Sequence, residues 1–181
     1  MVIQEWLEPD VLFGGGAAYV GPRGRGPIDM AKSGKLEFRG DALWCDGGPT
    51  GSWRLPSSDV SVVGEYTNAN GPWIDDYFLV FVRPDRMCFE VSFHARGRDQ
   101  ALSDLGIALG GAVLRPGLCN STEWRTRVLW PLQLADSPLW VLQREPPSGV
   151  WRRVLDVAGL PCRTAVLSAT VEEFLSRGGA G

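Results

Sequence analysis

Histidine is almost absent from this chain, and closely spaced cysteine pairs are absent altogether. The 181 residues include one histidine, His94, and four cysteines, at positions 45, 88, 119 and 162, with no C-x-x-C pair. A zinc ribbon or an imidazole-based zinc site needs several such ligands at closer spacing. The sequence therefore predicts no metal site and no cofactor, and it favours buried free thiols over a disulfide framework.

Long apolar runs are also missing. The longest, residues 77–82, has six residues, whereas a membrane-spanning helix needs about 20. The first residues carry Glu5 where a signal peptide would be basic, and the apolar run that follows is broken by Gly14, Gly15 and Gly16. We expect neither a membrane span nor export, and hence a cytoplasmic protein.

The chain has no excess of positive charge. Eighteen basic residues stand against 21 acidic ones, which gives a net charge of −3. Because nucleic acids and anionic membranes attract basic surfaces at long range, we expect no nucleic acid partner and disfavour a membrane partner. Sixteen of the basic residues are arginine, whose planar guanidinium pairs with carboxylates and stacks on aromatic rings.

Glycine and proline set the domain organisation. Residues 14–27 contain six glycines and two prolines, a composition that prevents a regular helix or strand. We therefore expect residues 1–33 to be a flexible lead-in and residues 34–181 to form a single globular domain.

Hydrophobic residues alternate with a period of two from residue 34 onward, which predicts antiparallel strands. Residues 36–38 and 43–45 alternate on either side of a polar turn, as in a hairpin. Residues 77–82 are apolar at every position, which is typical of a strand covered on both faces. Residues 87–93 alternate and are expected to pair with that strand.

The helical period appears later in the chain, so the predicted class is α+β. Leucines spaced three and four apart between residues 102 and 109 predict a helix that Asp99 caps. Ser148 precedes a second helical pattern, and Thr170 opens a capping box for a terminal helix. Pro131 interrupts the alternation of residues 128–134, which indicates an edge strand or a bulge.

Residues 34–110 resemble a pleckstrin-homology or GRAM-type domain. The resemblance is carried by the first hairpin, the segment W-R-L-P-S-S-D-V at residues 53–60, the hairpin of residues 77–93 and the leucine helix. It implies a partly open barrel of two antiparallel sheets closed by a helix. Residues 111–181 would then be an additional C-terminal α+β segment.

Lipid recognition is one function that this resemblance implies. In family members that hold phosphoinositides, basic residues crowd the first hairpin loop. Here that region offers Lys35 and Arg39 beside Asp41 and Asp46. Membrane-surface recognition is therefore the third of three functional hypotheses, and it predicts liposome binding that weakens with salt.

Catalysis is the second hypothesis. A small hydrolase or transferase could use Cys119 or Ser121, which follow a Pro-Gly turn, with His94 as the base. We nevertheless assign no catalytic residue, because no complete constellation is present. Glu65, Asp75 and Asp76 could gather a divalent cation, but we interpret the aspartates as solubilising residues at the start of a strand.

Tryptophan is unusually frequent, with eight residues in the chain. Tryptophan and arginine are enriched where proteins bind other proteins. Four of the eight lie on strand or helix patterns and are expected in the core: Trp44, Trp53, Trp130 and Trp151. The pattern around each tryptophan therefore predicts whether that residue lies in the core or on the surface.

Two tryptophans lie in predicted loops. Trp73 follows Gly71-Pro72, and Trp124 lies between Glu123 and Arg125. Together with Arg125 and Arg127 they form the predicted binding surface. The leading hypothesis is therefore a non-catalytic binding module whose partner is another protein, with the oligomeric state left open.

Overall fold

The computed structural model describes residues 33–48, 51–68, 76–118, 123–144 and 163–178. These ranges contain nine strands, two α-helices and two 3-10 turns. The mainly antiparallel α+β class is confirmed. In chain order the elements are β1 (Lys35–Arg39), β2 (Ala42–Asp46), β3 (Trp53–Pro56), a turn (Ser57–Asp59), β4 (Val62–Thr67), β5 (Tyr77–Val82), β6 (Cys88–Ser92), α1 (Arg98–Ala108), β7 (Arg125–Trp130), a turn (Leu132–Leu134), β8 (Trp140–Arg144), β9 (Arg163–Leu167) and α2 (Ala169–Ser176).

The strands form three antiparallel sheets, ordered β1-β2-β3, β6-β5-β4-β7 and β8-β9. Both predicted hairpins are present: Phe38 lies opposite Leu43 in the first, and Phe81 lies opposite Phe89 in the second. Within the described residues none of the sheets closes on itself. The finer prediction of a partly open barrel is therefore not confirmed.

Strand β5 lies inside the four-stranded sheet, and all six of its residues are buried. Side chains alternate along a strand, so each face of β5 contributes to a different core. Leu79 and Phe81 join a first core with the three-stranded sheet and α1. Phe78 and Val80 join a second core with α2 and the β8-β9 hairpin. The predicted two-sided burial is confirmed.

Helix α1 forms where the leucine spacing predicts it, and two glycines follow its end. Asp99 lies in the first turn, whereas the N-cap position is Gly97 with φ of +78°. The cap prediction was therefore wrong. A Cβ at Gly97 would lie 2.6 Å from the Leu36 carbonyl oxygen, so glycine permits both the left-handed backbone and the close approach to β1.

Helix α2 is capped by Ser168, not by Thr170 as predicted. The Ser168 hydroxyl accepts a hydrogen bond from the Val171 N–H at 3.4 Å, while Thr170 is already helical. The helical pattern after Ser148 lies outside the described residues. Neither of the two described helices is long and apolar enough to cross a membrane.

Candidate functional site

A fully buried carboxylate, Glu65, lies on β4 in the middle of the four-stranded sheet. Strand alternation places it on the face of the first core, beside Val63. Arg127 on β7 lies directly opposite Glu65 in the register, and Tyr77 lies on neighbouring β5. Sheet geometry thus brings an acid, a guanidinium and a phenol together from three adjacent strands.

The Glu65 carboxylate accepts hydrogen bonds from three residues. Arg127 Nε lies 2.8 Å and Nη2 2.6 Å from Oε1, the Gly117 backbone N–H donates at 3.0 Å, and the Tyr77 hydroxyl donates as well. Burial by itself lowers the pKa of Arg127, but the hydrogen bonds and charges of Glu65 and Asp136 outweigh it and raise that pKa. Such complete pairing is what makes a buried charge tolerable.

This Glu65 network, formed by Glu65, Tyr77, Arg127 and the Gly117 N–H, also fastens the irregular segment after α1. Arg127 Nη2 donates to the Arg115 carbonyl at 3.3 Å. A Cβ at Gly117 would lie 2.7 Å from the same nitrogen, so glycine lets the segment approach the guanidinium. The network therefore holds the backbone at residues 115 and 117 in place. The Glu65 carboxylate is hydrogen-bonded within the protein.

From the sequence, Glu65 was one of three candidate metal ligands, together with Asp75 and Asp76. Asp75 lies outside the described residues, and the Glu65 carboxylate is bonded to Arg127, Tyr77 and Gly117. No group of three or more His, Cys, Asp or Glu residues able to hold a metal occurs among the described residues. The signal available in the sequence was an acidic residue among the apolar residues Val62, Val63 and Tyr66 of a strand pattern, since a carboxylate buried in such a strand needs a positively charged partner.

The structure places the members of the predicted binding surface in different environments. Trp73 lies outside the described residues. Trp124 is half-buried and packs against the second core. Arg127 faces Glu65, whereas the Arg125 side chain is 62% exposed and its guanidinium lies 3.8 Å from Glu123. Arg125 is therefore the member that presents its charge to solvent.

Trp44 was expected in the core but lies on the surface. Its side chain is exposed at 40%, so its expected burial was wrong. On β2 the neighbouring Leu43 and Cys45 point into the first core, and alternation turns Trp44 to the outward face. Trp53 and Trp130 do pack against the first core, as expected. Trp151 lies outside the described residues.

The exposed indole lies at the centre of a charged row across three strands. Trp44 is opposite Glu37 on β1 and opposite Arg54 on β3. The Arg54 guanidinium carbon lies 5.2 Å from the centroid of the indole ring, within the range of a cation–π interaction. Lys35 and Arg39 both pair with Glu37. We call these five residues the Trp44 surface.

The residues considered for catalysis are not brought together by the described part of the chain. Cys119 and Ser121 lie outside it. His94 is exposed in the turn after β6, where its backbone N–H donates to the Ser92 hydroxyl at 3.0 Å. Burial raises the pKa of Cys45 to about 11 and that of Cys88 to about 12, so both thiols are weak nucleophiles at neutral pH.

A second unusual carboxyl, Glu90, lies on β6 and faces the second core. The residue keeps partial exposure, but its Oε2 oxygen is enclosed. Burial raises the pKa of Glu90 to about 7, and a hydrogen bond with Tyr66 opposes part of that rise. Glu90 therefore changes its charge near neutral pH.

Comparisons with family models, with curated proteins and with solved structures find no match to this chain. The Glu65 network is engaged within the protein, whereas the Trp44 surface offers an aromatic ring and charged groups to solvent. Molecular recognition is the chemistry that this second arrangement can perform.

Proposed function

We propose that this chain is a non-catalytic binding module whose partner is another protein. The observation that carries the proposal is the exposure of Trp44 beside Arg54 at the centre of an outward sheet face. Tryptophan and arginine dominate the binding energy of protein interfaces, since both combine large contact area with directed polar groups. A rigid indole on a strand also loses little conformational entropy when a partner covers it.

The predicted binding surface of Trp73, Trp124, Arg125 and Arg127 stays part of this proposal as a second contact region, although Arg125 and Arg127 lie on β7 and not in a loop. Its members do not contribute equally. The Arg127 guanidinium bonds to buried Glu65. If the guanidinium bound a partner instead, the buried carboxylate would lose its countercharge. We expect Arg125 to make the charged contact there.

We also propose that residues 34–110 have a pleckstrin-homology-like arrangement. Two antiparallel sheets with α1 packed around the first core support this idea. One difference is that β4 pairs with β7, which comes after residue 110. The resemblance in any case supports an architecture and not a ligand, because one fold hosts many functions.

The test compares five variants of this chain, Trp44→Ala, Arg54→Ala, Trp73→Ala, Trp124→Ala and Met87→Ala, in partner capture followed by direct binding of the purified partner. Trp44→Ala and Arg54→Ala remove the proposed contacts, and Met87→Ala is the matched control, because Met87 is 53% exposed on a different hairpin. A central interface tryptophan is typically worth about 2 kcal/mol or more, so we expect at least about a 30-fold loss of affinity for Trp44→Ala.

Circular dichroism and thermal unfolding must first show that each variant is folded. Unchanged binding of the purified partner by folded Trp44→Ala, Trp73→Ala and Trp124→Ala would refute the proposal for both surfaces. An equal loss for Met87→Ala would show that the effect is not specific to the Trp44 surface.

A further inference from the structure

We propose that the partner of the Trp44 surface is a second copy of this chain, bound face to face about a two-fold axis parallel to β2. The inference rests on the proposed function, because it names the protein that covers that surface. In this dimer the two Trp44 side chains meet, and Glu37 of each copy lies opposite Arg54 of the other.

The charges on this side of the three-stranded sheet balance. Three cationic and three anionic side chains lie on its strands and on the turn between β1 and β2: Lys35, Arg39, Arg54, Glu37, Asp41 and Asp46. A face whose charges sum to zero gives no long-range attraction to a strongly acidic or strongly basic partner. It favours a partner with the complementary arrangement of both signs.

The strand register shows that this face is complementary to itself. Glu37, Trp44 and Arg54 lie directly opposite one another on β1, β2 and β3, so this row contains an acid, an indole and a guanidinium in that order. A two-fold axis along β2 makes β1 of one copy face β3 of the other. The row then forms two Glu37–Arg54 pairs between the copies, with the indoles at the axis. Packed sheets lie about 10 Å apart, a gap that these long side chains fill from both sides.

The two neighbouring rows decide the direction of the axis. An axis across the strands would place Lys35 of one copy against Arg39 of the other, because these residues lie at opposite ends of β1. With the axis along β2, Lys35 faces the chain at Ser52, and Arg39 faces Pro56. Neither of these contacts brings like charges together.

The groups that meet in the dimer are available in the single chain. Trp44 is exposed at 40%, and the Arg54 side chain is exposed at 53%, with its nearest carboxylate, on exposed Asp41, 3.8 Å away. The hydrogen bonds from Lys35 and Arg39 lower the pKa of Glu37, so its carboxylate is charged at neutral pH.

Two features make the dimer weak. Asp46 lies on β2, so the Asp46 carboxylates of the two copies approach each other near the axis. Lys35 lies opposite Asp46 in the register and reduces that repulsion, although its Nζ is also 2.6 Å from Glu37. The face is also small: three strands of four or five residues cover roughly 10 by 17 Å, against about 800 Å² per partner in a standard interface. We therefore expect a reversible dimer at high protein concentration.

The experiment is sedimentation velocity of the chain from about 10 µM to about 1 mM, the range in which weak complexes form. We expect a monomer–dimer equilibrium. Trp44→Ala removes the central contact, and Glu37→Arg or Arg54→Glu places like charges opposite each other. Each should lower the association constant at least about tenfold. Met87→Ala and Arg177→Glu are the controls and should leave it unchanged, because both residues are exposed outside the Trp44 surface.

An equimolar mixture of Glu37→Arg and Arg54→Glu is the decisive sample. In a mixed dimer the introduced guanidinium of one variant faces the introduced carboxylate of the other, and the original Arg54 faces the original Glu37. Both pairs are again of opposite sign, so the mixture should associate within about threefold of the original chain. Damage to the fold of either variant could not be repaired by mixing. Circular dichroism checks each variant, and Arg54→Ala provides a smaller change that should also weaken the dimer.

A chain that stays monomeric at about 1 mM would overturn the inference. So would a dimer that Trp44→Ala and both charge reversals leave unchanged, or a mixture in which the two reversed variants stay monomeric. The proposed function can fail or hold separately. Binding of a different purified protein that depends on Trp44, without self-association, would retain the proposed function and refute this inference.

Discussion

Replacing Arg127 by alanine tests whether the Glu65 network is essential to the fold. The change leaves the Glu65 carboxylate fully buried with the Tyr77 hydroxyl and the Gly117 N–H but without its positive charge. Arg125→Ala is the matched control: it lies two residues away on the same strand, and its exposed guanidinium is 3.8 Å from exposed Glu123. The two variants differ mainly in what the lost guanidinium contacts.

The expected losses in the free energy of unfolding differ by several fold between Arg127→Ala and Arg125→Ala. Breaking a buried ion pair by removing one partner costs about 3–5 kcal/mol, because the remaining charge stays buried. An exposed pair contributes about 0–1 kcal/mol. We therefore expect Arg127→Ala to lower the free energy of unfolding by about 3 kcal/mol or more, and Arg125→Ala to lower it by less than about 1 kcal/mol. In urea the midpoint for Arg127→Ala should fall by at least about 1 M.

The assay is equilibrium urea unfolding followed by tryptophan fluorescence, extended to a double-mutant cycle with Glu65→Gln. Glu65→Gln removes the buried charge, so Arg127→Ala should cost clearly less in that background. The reasoning is refuted if Arg127→Ala and Arg125→Ala destabilise equally, or if the cost of Arg127→Ala is the same with glutamate and with glutamine at position 65.

Other features of the structure give three further expectations. Burial raises the pKa of Glu90 to about 7 from an ordinary 4.5, so the charged form penalises folding; stability should fall by up to about 3 kcal/mol as the pH rises from about 4.5 to about 7. Unfolding measured across that range should show no such fall for Glu90→Gln. Cys45 and Cys88, with raised pKa values, should react with iodoacetamide at pH 8 more slowly than in the unfolded chain; equal rates measured by mass spectrometry would contradict their burial. Gly64→Ala should destabilise by about 1–3 kcal/mol through overpacking, because a Cβ there would lie 2.7 Å from Leu139; a thermal midpoint equal to the original would argue against that contact.

Local patterns predicted the elements well, because hairpins and helices depend on neighbouring residues. The β5-β6 hairpin, α1 and the end of β7 before Pro131 all follow from period and turn chemistry. The expected burial of Trp44 was wrong, although the pattern of its own strand predicts exposure. Leu43 and Cys45 point into the core, so the residue between them has to point outward. At this position the alternation of the strand outweighs the general tendency of tryptophan to be buried.

The Glu65 network could not be predicted from the sequence, since its parts come from distant positions. Glu65 and Arg127 are 62 residues apart and meet only because β4 pairs with β7. The order of strands in that sheet is a tertiary property, and sixteen arginines offer many alternative partners. A strand with a buried glutamate predicts that a cation is needed but does not identify which one.

The sharing of β5 between two cores has a consequence for how this protein can be divided. A fragment ending at residue 110 would lack β7, α2 and the β8-β9 hairpin, and would expose Phe78, Val80 and Val82 on one face of β5. Such a fragment would be prone to aggregate through that apolar face. We therefore expect the first and second cores to unfold together in a single transition. The stability of residues 34–110 would then depend on the elements that follow residue 110.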